Sequence, residues 1–510
     1  MTRRRTAILI VAAWFAVLGA HVRREYFRPE AERIEAGARA LAPGSYFYVV
    51  RMAGTTIGTA SMRLRDTLDH RFIFEDNLLM DVPALDTVHR AVAMTRIELG
   101  PSLDLTAFLF RLDSKVGSFA VSGTVADSAL DVIVEAGAGV QRSRIENAAD
   151  LLLDAAVPMR LAAAGRLKVG SEYGARVFDP SSMAVRDVTV RVTAADVFIV
   201  PDSALLTPNG RWIAKALDTV PVWRIDQKFG GMTLTSWVDE DGLVVRAESP
   251  LGLQIERTAF ELARQAWARD SGDPKRSAGY GALIESTAIG SAVDVRGIES
   301  RDRFAVRLTG VDLEGFDLSG GRQQLRGDTL IITREPPAAL ESAGWSLPWT
   351  GQGEAAAELE ATPLIQADDP RIIAKAREII GGTSDPLLAA RRLNDWVYAA
   401  VQKEILPSVP SAVQVLEALR GDCNEHTVLY VALARAIGLP ARTAVGLVHV
   451  RGRFYYHAWP EIRAGDGWVA VDPTLGQFPA DASHIRFIVG GLARQVELIR
   501  LIGRLRLEAV

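Results

Sequence analysis

The feature that most restricts the fold is a period-two alternation of apolar and polar residues that runs from about Tyr46 to Ala263. Residues 188–192, for example, read Val-Thr-Val-Arg-Val, and Asp241-Gly242 separates two such runs as the turn of a hairpin does. Successive side chains of a strand point to opposite faces, so this pattern is typical of antiparallel sheet with one buried face. We therefore predict an antiparallel β domain at residues 45–264.

Two further changes of pattern divide the rest of the chain. A stretch rich in Arg, Asp, Gly, Ser and Pro precedes a second alternating region, in which Phe304, Val306 and Leu308 share a face. After a Gly/Ala/Pro-rich passage that ends near Pro370, the apolar spacing becomes helical. The pattern predicts an α+β multidomain protein. Its predicted divisions are a cytoplasmic stub with a signal anchor (1–28), a helical stalk (29–44), the antiparallel β domain (45–264), a second small β module (283–336), a linker (337–370) and a C-terminal α+β domain (371–510).

The N-terminus predicts a membrane-targeting segment. Three arginines at positions 3–5 precede residues 6–22, which carry no charged side chain. About 17 residues is the short end of what a helix needs to cross roughly 30 Å of hydrocarbon. Leu18 occupies a position where signal peptidase requires a small residue, which favours an uncleaved transmembrane helix. We predict a single-pass protein of the cytoplasmic membrane with its bulk extracytoplasmic; the alternative is signal cleavage and secretion to the periplasm.

Composition limits the kinds of site and partner. The 510 residues include 58 basic and 62 acidic side chains, a formal net charge of −4, and form no long basic stripe, so nucleic acid is not an expected partner. A chain with one cysteine cannot form an internal disulfide, a paired-cysteine zinc site or an iron–sulfur cluster held by its own cysteines. It also lacks a phosphate-binding glycine loop. We predict neither a cofactor nor a metal.

The single cysteine, Cys423, lies where a helix is predicted to begin. Asp422 is suited to the N-cap, Glu425 three residues later would complete a capping box, and an apolar stripe follows as far as Gly438. A cysteine at the first helical position lies near unpaired N–H groups that favour a thiolate and can bind an oxyanion. The charge of Asp422 acts in the opposite sense and raises the thiol pKa, so a nearby base is required.

A strand–turn–strand pattern downstream of this helix supplies the base, with the turn at residues 464–467. If the turn is tight and centred just after Ala464, His457 and Asp472 are direct cross-strand neighbours on one face. Asp472 would then orient His457, and His457 would accept the proton of Cys423. We predict these three residues as the catalytic site.

Several neighbouring residues allow two interpretations. His426 shares the helical side of Cys423, and it either contacts the site or makes a structural hydrogen bond. Trp459 either lines a substrate groove or fills the core. A zinc site built from these side chains is disfavoured, because the sequence has neither paired cysteines nor His-x-x-x-His spacing. His449 and His484 are expected at the surface.

The motifs of the C-terminal region resemble those of the bacterial transglutaminase-like superfamily. They are Gly-Asp-Cys-Asn-Glu-His at 421–426, Gly-Leu-Pro-Ala-Arg at 438–442, His-Ala-Trp-Pro-Glu at 457–461, and Trp468 followed by Val-Asp-Pro-Thr at 471–474. The resemblance covers roughly residues 371–487. It implies a papain-like core with Cys423 as nucleophile, His457 as base and Asp472 as orienting acid.

The site and the resemblance together predict a membrane-anchored, extracytoplasmic thiol enzyme, a cysteine-dependent acyltransferase or amidohydrolase. Its expected substrate is an amide or carboxamide of a protein, a peptide or the cell wall, attacked to give a thioester. Water would complete hydrolysis or deamidation, whereas an amine would complete transamidation. The alternative is a non-catalytic envelope scaffold or binding protein with a relic triad, because the superfamily includes members that have lost catalysis.

Overall fold

The computed structural model describes residues 30–509, apart from 53, 68–70, 85–86, 115–116, 137–138, 181–182, 230–231, 250–251, 271–296, 337–339, 405–410, 451, 492–493, 495 and 502–503. The predicted anchor at residues 6–22 lies outside the described residues. Among those described, no helix has both the length and the apolar character needed to cross a membrane. This finding contradicts the predicted transmembrane helix and the predicted single-pass membrane localisation.

The structure is mostly β, with 49% strand and 21% helix, and the predicted α+β fold class is wrong. Fifteen strands form one sheet. These are β1 Gly44–Met52, β2 Thr55–Asp66, β3 Phe72–Ala84, β4 Thr87–Leu99, β5 Leu105–Ser114, β6 Gly117–Ala126, β7 Ala129–Ala136, β8 Gly139–Ile145, β9 Leu151–Leu152, β10 Glu172–Asp179, β11 Ala184–Leu206, β12 Trp212–Phe229, β13 Met232–Val238, β14 Val244–Glu248 and β15 Leu253–Thr258. Alternation predicts single strands, but it does not reveal how many of them join one sheet.

The order of strands in the large sheet follows from one closing pair. β1 pairs with both β2 and β15, so the spatial order runs from β8 down to β1 and then from β15 down to β9. Every neighbouring pair is antiparallel except β9 and β10. The first and last strands of the unit therefore meet in the middle of the sheet.

The helices of the described residues are short, so helix makes up a smaller share of the structure than the sequence pattern predicts. They are α1 Glu30–Ala38, α2 Ala156–Ala163, α3 Phe260–Asp270, α4 Glu354–Ala357, α5 Pro370–Ile380, α6 Pro386–Ala400, α7 Ala412–Ala418 and α8 Cys423–Ala436, with 3₁₀ turns at Ile298–Ser300 and Val496–Leu501. In α1, Ile34 and Ala38 lie one turn apart and are fully buried in the core of the large sheet, together with Met159 of α2.

The remaining strands form a second β layer of four strands, the four-stranded sheet of the C-terminal region and one separate parallel pair of two-residue strands. They are β16 Arg303–Thr309, β17 Gln323–Arg326, β18 Thr329–Thr333, β19 Gln402–Lys403, β20 Arg420–Gly421, β21 Ala441–Val450, β22 Arg453–Ala464, β23 Gly467–Ala470, β24 Ile485–Val489 and β25 Arg506–Ala509. The second layer has the order β17-β18-β16-β25, so the last strand of the chain pairs with β16. Phe304 of β16 stacks on Phe454 of β22, and the two regions share one hydrophobic core.

The C-terminal sheet has the order β23-β22-β21-β24, with α8 packed against β22. Helices α5, α6 and α7 pack against α8 through a second apolar cluster that includes Leu393, Leu429 and Leu433. The N-terminus of α8 is thereby held against the strand that carries His457.

Candidate active site

The start of α8 is fixed by the predicted capping box, which is confirmed. The carboxylate of Asp422 accepts the N–H of Asn424 at 2.8 Å, and the carboxylate of Glu425 accepts the N–H of Asp422 at 2.9 Å. Gly421 permits this arrangement, because a Cβ at that position would lie 2.2 Å from the Cβ of Glu425. Cys423 is therefore the first residue of the helix, as predicted, and its side chain is partly buried.

The surroundings of Cys423 favour the protonated thiol. Burial raises its pKa well above the ordinary value, and the charges of Asp422, Glu425 and Asp472 raise it further. One contact acts in the opposite direction, a hydrogen bond from the backbone N–H of Ala458, the residue after His457. Burial and the carboxylate charges together thus exceed the thiolate stabilisation expected from the helix N-terminus, so the nucleophile needs a base.

His457 lies on β22 and contacts Asp472, with Nε2 2.8 Å from Oδ2. Their predicted register is wrong: Ala464 pairs with Gly467, so the turn is centred one residue later than predicted and Asp472 lies beyond the end of β23. The resulting shift is two residues, which leaves both side chains on the same face, because the side-chain period of a strand is two. The contact therefore forms diagonally.

Asp472 is completely buried and all of its lone pairs are directed to donors. Oδ1 accepts the backbone N–H groups of Thr474 at 2.7 Å and Leu475 at 2.9 Å, while Oδ2 faces His457 and, at 3.0 Å, Nε2 of His484. Burial alone would raise the pKa of Asp472, but the two histidines outweigh it and hold that pKa far below its usual range. The carboxylate is anionic whenever the protein is folded near neutral pH.

His484 is the site residue that the sequence pattern did not reveal. It is 0% exposed, and the expectation that His484 and His449 lie at the surface is wrong. Its Nδ1 lies 3.1 Å from Oδ1 of Asp481, so the ring bridges two carboxylates. Burial lowers the pKa of His484, but hydrogen bonds and charges from Asp472 and Asp481 reverse the shift and favour the imidazolium. The available signal was its position, three residues after an aspartate and directly before the apolar strand β24.

The elements therefore bring Cys423, His457 and Asp472 to one place, where the start of α8 meets β22. Among the described side chains, no hydrogen bond joins the Cys423 thiol to the His457 ring. Because Asp472 engages Nε2 of His457, Nδ1 is the nitrogen that remains for proton transfer with the thiol.

The two secondary residues are both buried. His426 is fully buried and its Nδ1 lies 2.7 Å from the carbonyl oxygen of Asp422, so of its two predicted roles the structural hydrogen bond is the one that forms. Burial lowers the pKa of His426. Trp459 is 1% exposed, stacks on His457 with ring centroids 6.1 Å apart and meets His484 edge-on. Trp459 thus supports the imidazoles from within the core and does not line an open groove.

Three side chains of the site have donor atoms close enough to hold a metal ion. His457, Asp472 and His484 each offer one such atom, and the three atoms lie within 4.8 Å of one another. Both Nε2 atoms, however, are at hydrogen-bond distance from the same Oδ2 atom. An ion with bonds of about 2.0–2.2 Å to nitrogen and oxygen would have to replace those contacts. The arrangement is a hydrogen-bonded chain in which each donor atom already has a partner.

The raised pKa of Cys423 leads to a testable expectation. We expect the rate of alkylation by iodoacetamide to rise with pH, with a midpoint above the ordinary thiol value of about 8.5. Asp422→Asn removes a charge but keeps a good N-cap, so it should move the midpoint to lower pH. Asp385→Asn is the matched control, because Asp385 caps α6 in the same way without a cysteine nearby. A midpoint that Asp422→Asn leaves unchanged would contradict the electrostatic explanation.

Comparison with known proteins gives a family for this region. Residues 373–473 match the transglutaminase-like superfamily model. Among solved structures, the chain is similar to a candidate cysteine protease from Cytophaga hutchinsonii (16% identity, 37% of this chain and 79% of that chain, TM-score 0.27). It is also similar to a β-barrel-like protein of a domain of unknown function from Brucella abortus (13% identity, 42% of this chain and 95% of that chain, TM-score 0.32). No curated protein matches. Towards its C-terminal end, at residues 373–473, the chain thus contains a transglutaminase-like superfamily domain.

Proposed function

We propose that the transglutaminase-like domain is a thiol enzyme that attacks amide or carboxamide bonds through Cys423, His457 and Asp472. The observation that carries the proposal is the buried contact of 2.8 Å between His457 Nε2 and Asp472 Oδ2, next to the helix start that holds Cys423. A nucleophile at a helix N-terminus, a histidine and an orienting carboxylate are the parts that acyl transfer needs.

The first half of the reaction transfers the acyl group to the protein. Because its surroundings favour the protonated thiol, His457 takes the proton of Cys423 as sulfur attacks the carbonyl carbon. Backbone N–H groups at the start of α8 stabilise the oxyanion that forms. His457 then gives its proton to the departing nitrogen, which leaves as ammonia or an amine, and a thioester remains on Cys423.

The buried anion of Asp472 stabilises the imidazolium that His457 becomes during this step. In the second half, water attacks the thioester and gives hydrolysis or deamidation, or an amine attacks and gives transamidation. In both cases His457 accepts the proton of the attacking group and returns it to sulfur. The proposed substrate class is an amide of a protein, a peptide or the cell wall.

The test is the release of ammonia or amine from a library of glutamine-containing peptides and peptide crosslinks, with and without an added primary amine. Release in the wild type, together with a product whose mass identifies the acid or the new amide, supports the proposal. Absence of release across the library, in a folded protein whose thiol does not react with alkylators, would contradict it.

A second candidate is a non-catalytic scaffold with a relic triad. Two observations favour it: the pKa of Cys423 is raised, and the thiol makes no hydrogen bond with His457 among the described residues. An alkylation rate that does not change in His457→Gln would support the scaffold, because a working base must affect the thiol.

His484 should act as a positioning residue for Asp472. We expect His484→Gln to lower kcat roughly 10- to 100-fold, since a hydrogen bond to a charged group contributes about 1.5–3 kcal/mol and each 1.4 kcal/mol is tenfold. The pKa of Asp472 lies far below the pH range of an assay, so the expected signature of lost positioning is a lower kcat with an unchanged KM. His449→Gln is the control, because His449 is a buried histidine that packs on Phe454. An unchanged kcat in His484→Gln, or an equal loss in His449→Gln, would refute this role.

A further inference from the structure

We propose that the large sheet binds a hydrophobic amine, an apolar molecule with one ammonium group, in a cavity between β1–β3 and β13–β15. This inference does not rest on the thiol chemistry, and its test does not use that activity.

The cavity has a volume of about 310 Å³, within the range of small-molecule sites. Its walls are mainly apolar, with Met62, Phe74 and Leu78 on one side and Leu234 and Ile255 on the other. Pro158 of α2 contributes to the lining. Such a surface suits the hydrocarbon part of a ligand.

One wall of this cavity carries a charge where the strand pattern calls for an apolar residue. Along β3 the side chains that face the cavity are Phe74, Asp76 and Leu78, whereas Glu75 lies on the opposite face and pairs with Arg65. Burial raises the pKa of Asp76 to about 6, and its one compensating contact is the backbone N–H of Asn77. Among the described residues that line the cavity, none is Lys, Arg or His.

The other polar groups of the wall do not supply the missing positive charge. Asp154 accepts a hydrogen bond from Nε2 of Gln227 at 3.1 Å, and desolvation raises its pKa too. The Oγ of Ser236, a residue 7% exposed, has no hydrogen-bond partner. Glu248 is paired with Arg246.

The nearby guanidinium of Arg257, the cross-strand neighbour of Tyr48, is engaged by other groups. It forms an ion pair with Asp239 at 2.9 Å and donates to the carbonyl oxygens of Leu243 and Val244. Tyr48 in turn donates its hydroxyl to the carbonyl of Val244. Asp76 therefore faces the cavity without a cation among the described residues that line it, whereas the charge of Arg186 acts on Asp154.

An unpaired carboxylate in an apolar cavity is costly, and a cation that enters with the ligand removes that cost. An ammonium group beside Asp76 would be stabilised by charge and by hydrogen bonds that Asp154 and Ser236 can accept. A fatty acid of the same length would place a second anion beside Asp76, and a neutral alcohol would leave it unpaired. Charge therefore selects the amine.

The experiment measures the binding of dodecylamine, dodecanol and dodecanoate to the whole protein by isothermal titration calorimetry. Each ligand is kept below its micelle concentration or, for dodecanol, its solubility limit. We expect dodecylamine to bind most tightly and dodecanoate least. Asp76→Asn should weaken the binding of dodecylamine about tenfold or more and leave the binding of dodecanol within about twofold, since one charge-assisted hydrogen bond is lost. Glu75→Gln, the same change on the opposite face of β3, should leave all three unchanged.

Two results would overturn the proposal: dodecylamine binding no more tightly than dodecanol, or equal dodecylamine affinity in wild type and Asp76→Asn. The variant should fold. Burial raises the pKa of Asp76 to about 6, so its ionised carboxylate destabilises the folded state above that pH, and the neutral amide does not. Melting temperatures at pH 7.5 check this, and Asp76→Asn should melt no lower than the wild type. A second variant, Leu78→Trp, should block all three ligands by filling the cavity.

Discussion

Cys423→Ser is expected to lower the release of ammonia or amine from amide substrates by at least about 1,000-fold, because a serine hydroxyl is a far poorer nucleophile without a base tuned to it. Stability should change by less than about 1 kcal/mol, since serine is well tolerated at a helix start and its oxygen can accept the N–H of Ala458. The measurement is product release by both proteins, alongside thermal melts. Equal turnover in wild type and Cys423→Ser would end the thiol-enzyme proposal.

Asp472→Asn is expected to lower kcat roughly 1,000- to 10,000-fold, as the loss of an orienting carboxylate does in other nucleophile–histidine–acid sites. The asparagine oxygen can keep the N–H groups of Thr474 and Leu475, which turns its NH₂ group toward His457. Nε2 of His457 must then accept, the ring proton moves to Nδ1, and the histidine can no longer take the proton of Cys423.

The same variant also tests the charge of the site. A carboxyl group with a depressed pKa contributes stability above its ordinary pKa of about 3.9 and loses it as pH falls. Asp472→Asn should therefore be less stable than wild type at pH 7, by about 3 kcal/mol. This difference in unfolding free energy should begin to narrow only below about pH 4. Activity is compared below both melting temperatures. The control is Asp466→Asn, an exposed acid in the turn of the same hairpin, and a similar loss in that variant would remove the orienting role from Asp472.

The parts of the site that could be predicted depend on local sequence. The capping box at Asp422 and Glu425 involves residues three apart, and the hairpin of His457 is marked by alternation and a Gly-rich turn. The family motifs lie in the same segments, and the match to residues 373–473 confirms the family resemblance. Short-range patterns were sufficient for these groups because the chain positions them within one helix and one hairpin.

What the sequence did not reveal depends on contacts between distant segments. β1 pairs with β15 across some two hundred residues, and β16 pairs with β25. His484 contacts Asp472 from the position directly before β24, outside the helix and the hairpin that the pattern marks. Alternation shows which face of a strand is buried but not its neighbour. The cavity-facing position of Asp76 likewise could not be predicted before the buried face of β3 was known.

The most direct test of the thiol mechanism is mass spectrometry of wild-type protein quenched in acid during turnover of an amide peptide. A thioester mechanism requires a mass increase equal to the acyl part of the peptide, located on Cys423, removed by hydroxylamine and absent from Cys423→Ser. Turnover without any adduct on Cys423, or an adduct that persists in Cys423→Ser, would contradict it.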